Sequence, residues 1–282
     1  MLAGLRNALV AFLGHKRPLP AFPLSDFERL QAEIQPGDVI LVEGRSRVSD
    51  VIGWVTQSPW THAALYLGPA ARLAEAPELA TQLATTPEEP LIVESELGFG
   101  TVLRSLSVYR GEHLRVCRPR GLGPEARRKV LRYALGRLGT PYDVRQIFDL
   151  LRFLFPWFIM PRRWRSTLFQ AGAGPGTHTV CSTMIAEAFA SAGHPILPLV
   201  KRVEDGRLVL YRRNPKLCVP ADFDYSPYFS IVKYPVLDLR SWDRGELAEG
   251  TAAAALDAGE QGLYLPEPLR SVAAAKPPPD AQ

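Results

Sequence analysis

The stretch from Gly37 to Pro119 constrains this chain most. Apolar runs of strand length follow one another there: GDVILVEG (Gly37 to Gly44), HAALYLG (His62 to Gly68), LIVESEL (Leu91 to Leu97), TVLRSLSVY (Thr101 to Tyr109) and HLRVCRP (His113 to Pro119). Their aliphatic and β-branched content, and the glycine, proline or charge at their ends, read as strands. Between the first two, SRVSDVIGWVTQ (Ser46 to Gln57) places Val48, Val51, Ile52 and Val55 on one helical face, with Ser46 or Ser49 available as a cap. Residues 69 to 90, rich in Ala, Pro, Thr and Glu, read as a loop or insertion.

Downstream the texture turns helical. PEARRKVLRYALGRLG (Pro124 to Gly139) has proline in its first turn and a glycine exit. Ala126, Val130, Leu131, Ala134, Leu135 and Leu138 form its apolar face. HTVCSTMIAEAFASAG (His178 to Gly193) carries a stripe of Met184, Ile185, Ala188, Phe189 and Ala192 and ends at Gly193. Residues 147–164 are the oiliest segment, interrupted by Asp149, Arg152 and Pro156. They fall short of the roughly 20 residues of a membrane span. The segment reads either as a buried helix and turn or as a hydrophobic flap, with Arg162, Arg163 and Arg165 placed for headgroups. GRLVLYR (Gly206 to Arg212) is a further strand candidate.

Three regions follow: an N-terminal helical arm at 1–34, a main domain at 35–242, and an Ala/Pro-rich tail at 243–282 read as flexible. In the arm, Leu2, Leu5, Leu9, Phe12 and Leu13 recur at helical spacing. That pattern packs on its own domain or lies on a membrane surface. Lys16 and Arg17 follow the apolar run and no small-residue cleavage site is clear, so it makes a poor signal peptide. The expected location is cytoplasmic or peripheral to a membrane.

A net charge of +4 over 282 residues suits an anionic partner only weakly. Without a zinc finger, an RNA-binding signature or a dense basic run, nucleic acid is not the expected partner. The three cysteines, Cys117, Cys181 and Cys218, are too scattered for a disulfide framework. No CxxC pair or HExxH occurs, so no metal site is expected.

Cys181 is the candidate nucleophile. In the first turn of a helix it would meet free N–H groups and the helix dipole, both of which stabilise a thiolate. The competing reading is a small buried hydrophobe. A nucleophile needs a base, and there are five histidines. His62, after SPWT, projects from a strand edge. His178 lies three residues before the cysteine. His15, His113 and His194 are worse placed. Glu94 ends the apolar part of LIVESEL and is costly to bury without a partner, which an imidazole on a neighbouring strand would supply. Glu96, two residues on, shares its face and is the fallback.

Taken in order, GDVILVEG, SPWTHAALYLG, LIVESELGFGTV, GTPYDVRQIF, TVCSTMIAEAF and VPADFDYSPYF resemble the circularly permuted papain-like hydrolases of the NlpC/P60 superfamily, the YaeF/YiiX-type amidases in particular. The resemblance spans roughly residues 35 to 234. It implies an α+β papain-like fold in which an antiparallel sheet or barrel is packed by helices and the nucleophile sits at a helix N-terminus. It implies the permuted order of base, acid and nucleophile, with His62, Glu94 and Cys181 in those roles and a thioester acyl-enzyme. Tyr142, in GTPYD, matches an aromatic position that lines the substrate cleft; the plainer reading is a turn or core tyrosine. No cofactor is implied.

For the substrate, the resemblance offers peptide amides. A related permuted branch, the lecithin:retinol acyltransferase-like proteins, moves acyl chains between lipids as acyltransferases or phospholipases, and the oily segment 147–164 leans that way. A non-catalytic membrane-peripheral binding module is the third reading.

Overall fold

The computed structural model describes residues 12, 14–20, 24–72, 86–96, 98–141, 181–202, 207–211 and 213–234. The arm before residue 12, Tyr142, segment 147–164, His178 and the tail at 243–282 lie outside the described residues.

In chain order the elements are α1 (Phe27–Glu33), β1 (Val39–Val42), α2 (Arg47–Thr56), β2 (His62–Pro69), β3 (Pro90–Glu96), β4 (Gly100–Ser105), β5 (Leu114–Pro119), α3 (Pro124–Leu135), α4 (Cys181–Ser191), β6 (Leu199–Arg202), β7 (Leu208–Tyr211), α5 (Ala221–Tyr225) and β8 (Phe229–Val232). Six strands form one sheet in the order β4-β3-β2-β1-β5-β8, and β6 and β7 pair separately. Every pairing is antiparallel.

Local chemistry sets the helix ends. Asp26 caps α1, its carboxylate accepting from the Arg29 amide at 3.1 Å. Ser46 caps α2, its Oγ accepting from the Ser49 amide at 3.2 Å, and Gln57 closes that helix in the left-handed region at φ 51. Pro124 opens α3, where its missing N–H costs nothing.

The alternation of strand side chains gives the sheet two buried faces. Val39, Leu41, Ala63, Leu65, Leu91, Val93 and Cys117 face a core shared with α3, α4, Phe223 and Phe229. Ile40, Val42, Ala64, Tyr66, Ile92, Leu114 and Val116 face a second core closed by Phe27, Leu30 and Ile34 of α1, with Leu106, Tyr109 and Tyr234. The sheet is thus the middle layer. This explains why β1 reads as a continuous apolar run: all four of its residues are buried.

Some sequence expectations need correction. TVLRSLSVY is a strand only as far as Ser105; Leu106–Tyr109 form a 3-10 turn started by Ser105, whose Oγ accepts from the Ser107 amide at 3.1 Å. The helix from Pro124 stops at Leu135 and not at Gly139, with residues 136–139 in turns and the Gly139 amide bonded to the Thr101 carbonyl at 2.9 Å. The strands β6 and β8 carried no assigned sequence signal.

The described part of the arm is fastened to the domain. Lys16 pairs with Ser46 in an isolated β-bridge. The Arg17 amide donates to the Arg45 carbonyl at 3.0 Å, and the Arg45 guanidinium returns a bond to the Arg17 carbonyl.

Candidate active site

His62 is the first residue of β2, at the end of the sheet, and lies opposite Val42 of β1. Glu94 lies opposite Ala64 on the next strand. Both side chains therefore project from the same face, with Glu94 diagonal to His62, a separation that long side chains bridge. Glu94 Oε2 lies 2.6 Å from His62 Nε2. Glu94 is 3% exposed, so the cost of burying its charge has to be met locally. The Tyr109 hydroxyl donates to Oε2 as well, and Arg104 Nε lies 3.4 Å from Oε1. Burial pushes the Glu94 carboxyl up, but the bonds from His62 and Tyr109 and the Arg104 charge outweigh it and hold the group below its ordinary range.

Cys181 arrives from the other layer. It is the first residue of described helix α4, whose Met184, Ile185 and Phe189 pack on the opposite face of the sheet. At the sheet end its thiol meets the His62 ring and the backbone amides of Ala63 and Ser182. With Nε2 committed to Glu94, the ring nitrogen on the sulfur side is Nδ1. Burial works against the thiolate, but the His62 charge and hydrogen bond, together with the two amides, pull the Cys181 pKa below its usual value. Burial likewise works against the imidazolium, yet Cys181 and Glu94 raise His62 to about 10. Each group thus favours the charged form of the other, the thiolate being stabilised by the imidazolium and the imidazolium by the thiolate and Glu94.

The contrast with the other thiols is direct. Burial pushes Cys117 and Cys218 up, and nearby carboxylates add to the effect. Arg115 beside Cys117 and Arg213 beside Cys218 offset this only in part, so that among the three only Cys181 is held below its usual value.

Two other described histidines, His113 and His194, are occupied elsewhere. His113 Nδ1 lies 2.7 Å from Glu43 Oε2. His194 packs among Phe189 and Phe229 beyond the far end of α4. Glu96, the fallback acid, is bonded to Arg104 rather than to His62. Two partners of Glu94 were missed in the sequence. Arg104 had a signal: it lies opposite Ile92, one diagonal step from Glu94 on the same face. Tyr109 had none, because it is the last residue of an unrecognised turn.

The site opens into a cleft of about 160 Å³ lined by residues of β2, β3, α2 and the arm, with His62, Glu94, Tyr109 and Cys181 at its base. A larger cavity of about 200 Å³ lies beside the far end of α4, lined by His194, Arg213 and Cys218, and contains none of the three candidate groups. Among the described residues, no group of three or more His, Cys, Asp or Glu side chains is arranged to hold a metal ion. Nor is any described helix long and apolar enough to cross a membrane.

Residues 33–149 match the model of a family described as the permuted papain-like amidase enzyme, YaeF/YiiX, C92 family. The match, over less than half of the chain, supports the resemblance to the YaeF/YiiX family. The family so described is one of amidases, a class of cysteine hydrolase. The family match takes in His62, Glu94, Arg104 and Tyr109 and ends before Cys181. A solved structure, that of the metalloprotein YiiX from Escherichia coli O157:H7, aligns at 17% identity and a TM-score of 0.42, covering 71% of this chain and 97% of that one. No curated protein matches the chain.

Proposed function

We propose that this chain is a YaeF/YiiX-type amidase that works through Cys181 as nucleophile, His62 as general base and acid, and Glu94 as the group that orients and charges His62. The observation that carries the reading is the paired ionisation of Cys181 and His62, unlike that of either other cysteine. The thiolate attacks the amide carbonyl, forming a C–S bond and an oxyanion. The Cys181 backbone N–H and a neighbouring donor stabilise that oxyanion. The imidazolium gives its proton to the departing amine, and the C–N bond breaks to leave a thioester. Neutral His62 then takes a proton from water as the water attacks, and the thiolate leaves. Glu94 keeps Nε2–H pointed at itself throughout, so Nδ1 is the nitrogen that exchanges protons.

The base precedes the acid and the acid precedes the nucleophile in the chain, which is the permuted order. The family match favours an amide or peptide substrate. No observation in the described site favours the acyl-lipid reading, and segment 147–164, which motivated it, lies outside the described residues.

The test is the rate of Cys181 alkylation by iodoacetamide against pH, in wild type and His62→Ala. The wild-type thiol is expected to react rapidly well below the ordinary thiol pKa of about 8.5, and the variant's reactive limb is expected to move up towards that value. A profile indifferent to His62 would overturn the assignment of the base.

A further inference from the structure

Three cations line the cleft: Lys16, Arg45 and Arg104. Two are spent. Arg45 holds Glu112 through Nε at 2.8 Å and Nη2 at 2.7 Å. Arg104 is shared by Glu96 and Glu94. Lys16 has no ion pair among the described residues. Two acids on neighbouring elements are taken as well: Asp50 on α2 pairs with Arg17 at 2.7 Å, and Glu43, which follows β1, lies 2.7 Å from His113. The Lys16 backbone is held in place by its bridge to Ser46 and by the reciprocal bonds between residues 17 and 45. Lys16 therefore lines the cleft with its backbone held and its ammonium in no ion pair among the described residues, while Glu94 and Glu96 set two negative charges against the one positive charge of Arg104. The lining also includes the apolar side chains of Val48, Ile52 and Val108, the last 45% exposed.

We infer that Lys16 selects an anionic group on the substrate, so that the preferred amides carry a carboxylate beside an apolar side chain. The inference rests on the Cys181 reading above and deepens it. Lys16 precedes the family-matched residues 33–149, so this preference is a property of the arm and not of the matched segment. An ammonium offers three donors on a flexible stem and acts as a point charge, enough to rank substrates without holding one rigidly. In a peptide-type amide the anion at hand is the α-carboxylate, and a leucine-like side chain next to it would lie along Val48 and Ile52.

The experiment uses two probes, bromoacetyl-leucine as the free acid and bromoacetyl-leucine amide. Each alkylates Cys181 by displacement: the C–S bond forms, the C–Br bond breaks and bromide leaves. In wild type at low salt the acid is expected to react about fivefold faster than the amide, the scale of an exposed ion pair. Lys16→Ala should bring the ratio close to one, chiefly by slowing the reaction of the acid. Lys16→Glu should invert it, Lys16→Arg should keep it, and high salt should erase it in wild type. If the ratio is the same in wild type and Lys16→Ala while Cys181 still reacts quickly and in a His62-dependent way, the role of Lys16 is overturned and the nucleophile stands. If Cys181 reacts with neither probe faster than an ordinary thiol, both readings fall.

Discussion

Glu94 reaches diagonally from β3 to His62 on β2, Oε2 to Nε2 at 2.6 Å, and so turns the other ring nitrogen towards Cys181. That one contact fixes the tautomer, the ring plane and the charge of the base. It also sets the pH range in which the site can act.

Hydrolysis of an amide is expected to follow a bell-shaped pH profile. Cys181 is depressed, so the thiolate forms above its lowered pKa and is lost as pH falls through it. His62 is raised, so the imidazolium that protonates the leaving group is present below about 10 and lost above it. The alkaline limb of kcat/KM should therefore lie near pH 10. A limb near 6.5, the ordinary histidine value, would mean that Cys181 and Glu94 do not hold the proton on His62.

Glu94→Gln and Glu96→Gln separate the acid from its fallback. Glutamine at 94 still fills the space but does not stabilise the imidazolium, and amide hydrolysis should fall about a hundredfold or more. Glu96 is bonded to Arg104 and half-exposed, so its loss should change kcat/KM by about threefold at most. Equal losses in the two variants would contradict the assignment.

Tyr109 acts through Glu94 and is a positioning residue. Tyr109→Phe removes one donor from Oε2 and keeps the ring in the second core. Hydrolysis should fall about tenfold, the scale of a hydrogen bond to a charged group. Because that bond helps keep the Glu94 carboxyl low, the acid limb of the profile should also move to higher pH. A lower rate with an unmoved profile would reduce Tyr109 to a packing role.

Away from the site, Arg118 grips Asp38 through Nε at 3.0 Å and Nη2 at 2.8 Å, and Asp38 is 1% exposed. Arg118→Ala strands that carboxylate and should cost roughly 3 kcal/mol, read from urea unfolding. Asp38→Asn combined with Arg118→Leu should recover most of the loss. No recovery would show that the cost comes from packing and not from the stranded charge.

Much of this arrangement was legible in the sequence. β1, β2, β3 and β5 announce themselves through apolar runs with glycine or proline ends, and α2 through its serine cap. The Glu94–His62 pairing follows from asking what a carboxylate at the end of LIVESEL could bond. Other features were not legible, for physical reasons. LSVY has the composition of a strand, but a local bond from Ser105 bends it into a turn, which aims Tyr109 at Glu94. β8 gains its place only by pairing with β5, more than a hundred residues earlier. The fastening of Lys16 to Ser46 is a long-range backbone contact that leaves no periodic trace.

The acid and base belong to the sheet, whereas the thiol rides on a helix packed across the sheet from them. The proposed catalytic centre is thus a joint between two layers, and it would work as a gauge of their spacing. A slide of α4 by one residue, about 1.5 Å, would leave the buried apolar area nearly unchanged yet carry the sulfur out of hydrogen-bonding range. Ile185 and Leu65, which meet no substrate, therefore have to do more than fill space: their sizes set the distance at which the chemistry runs.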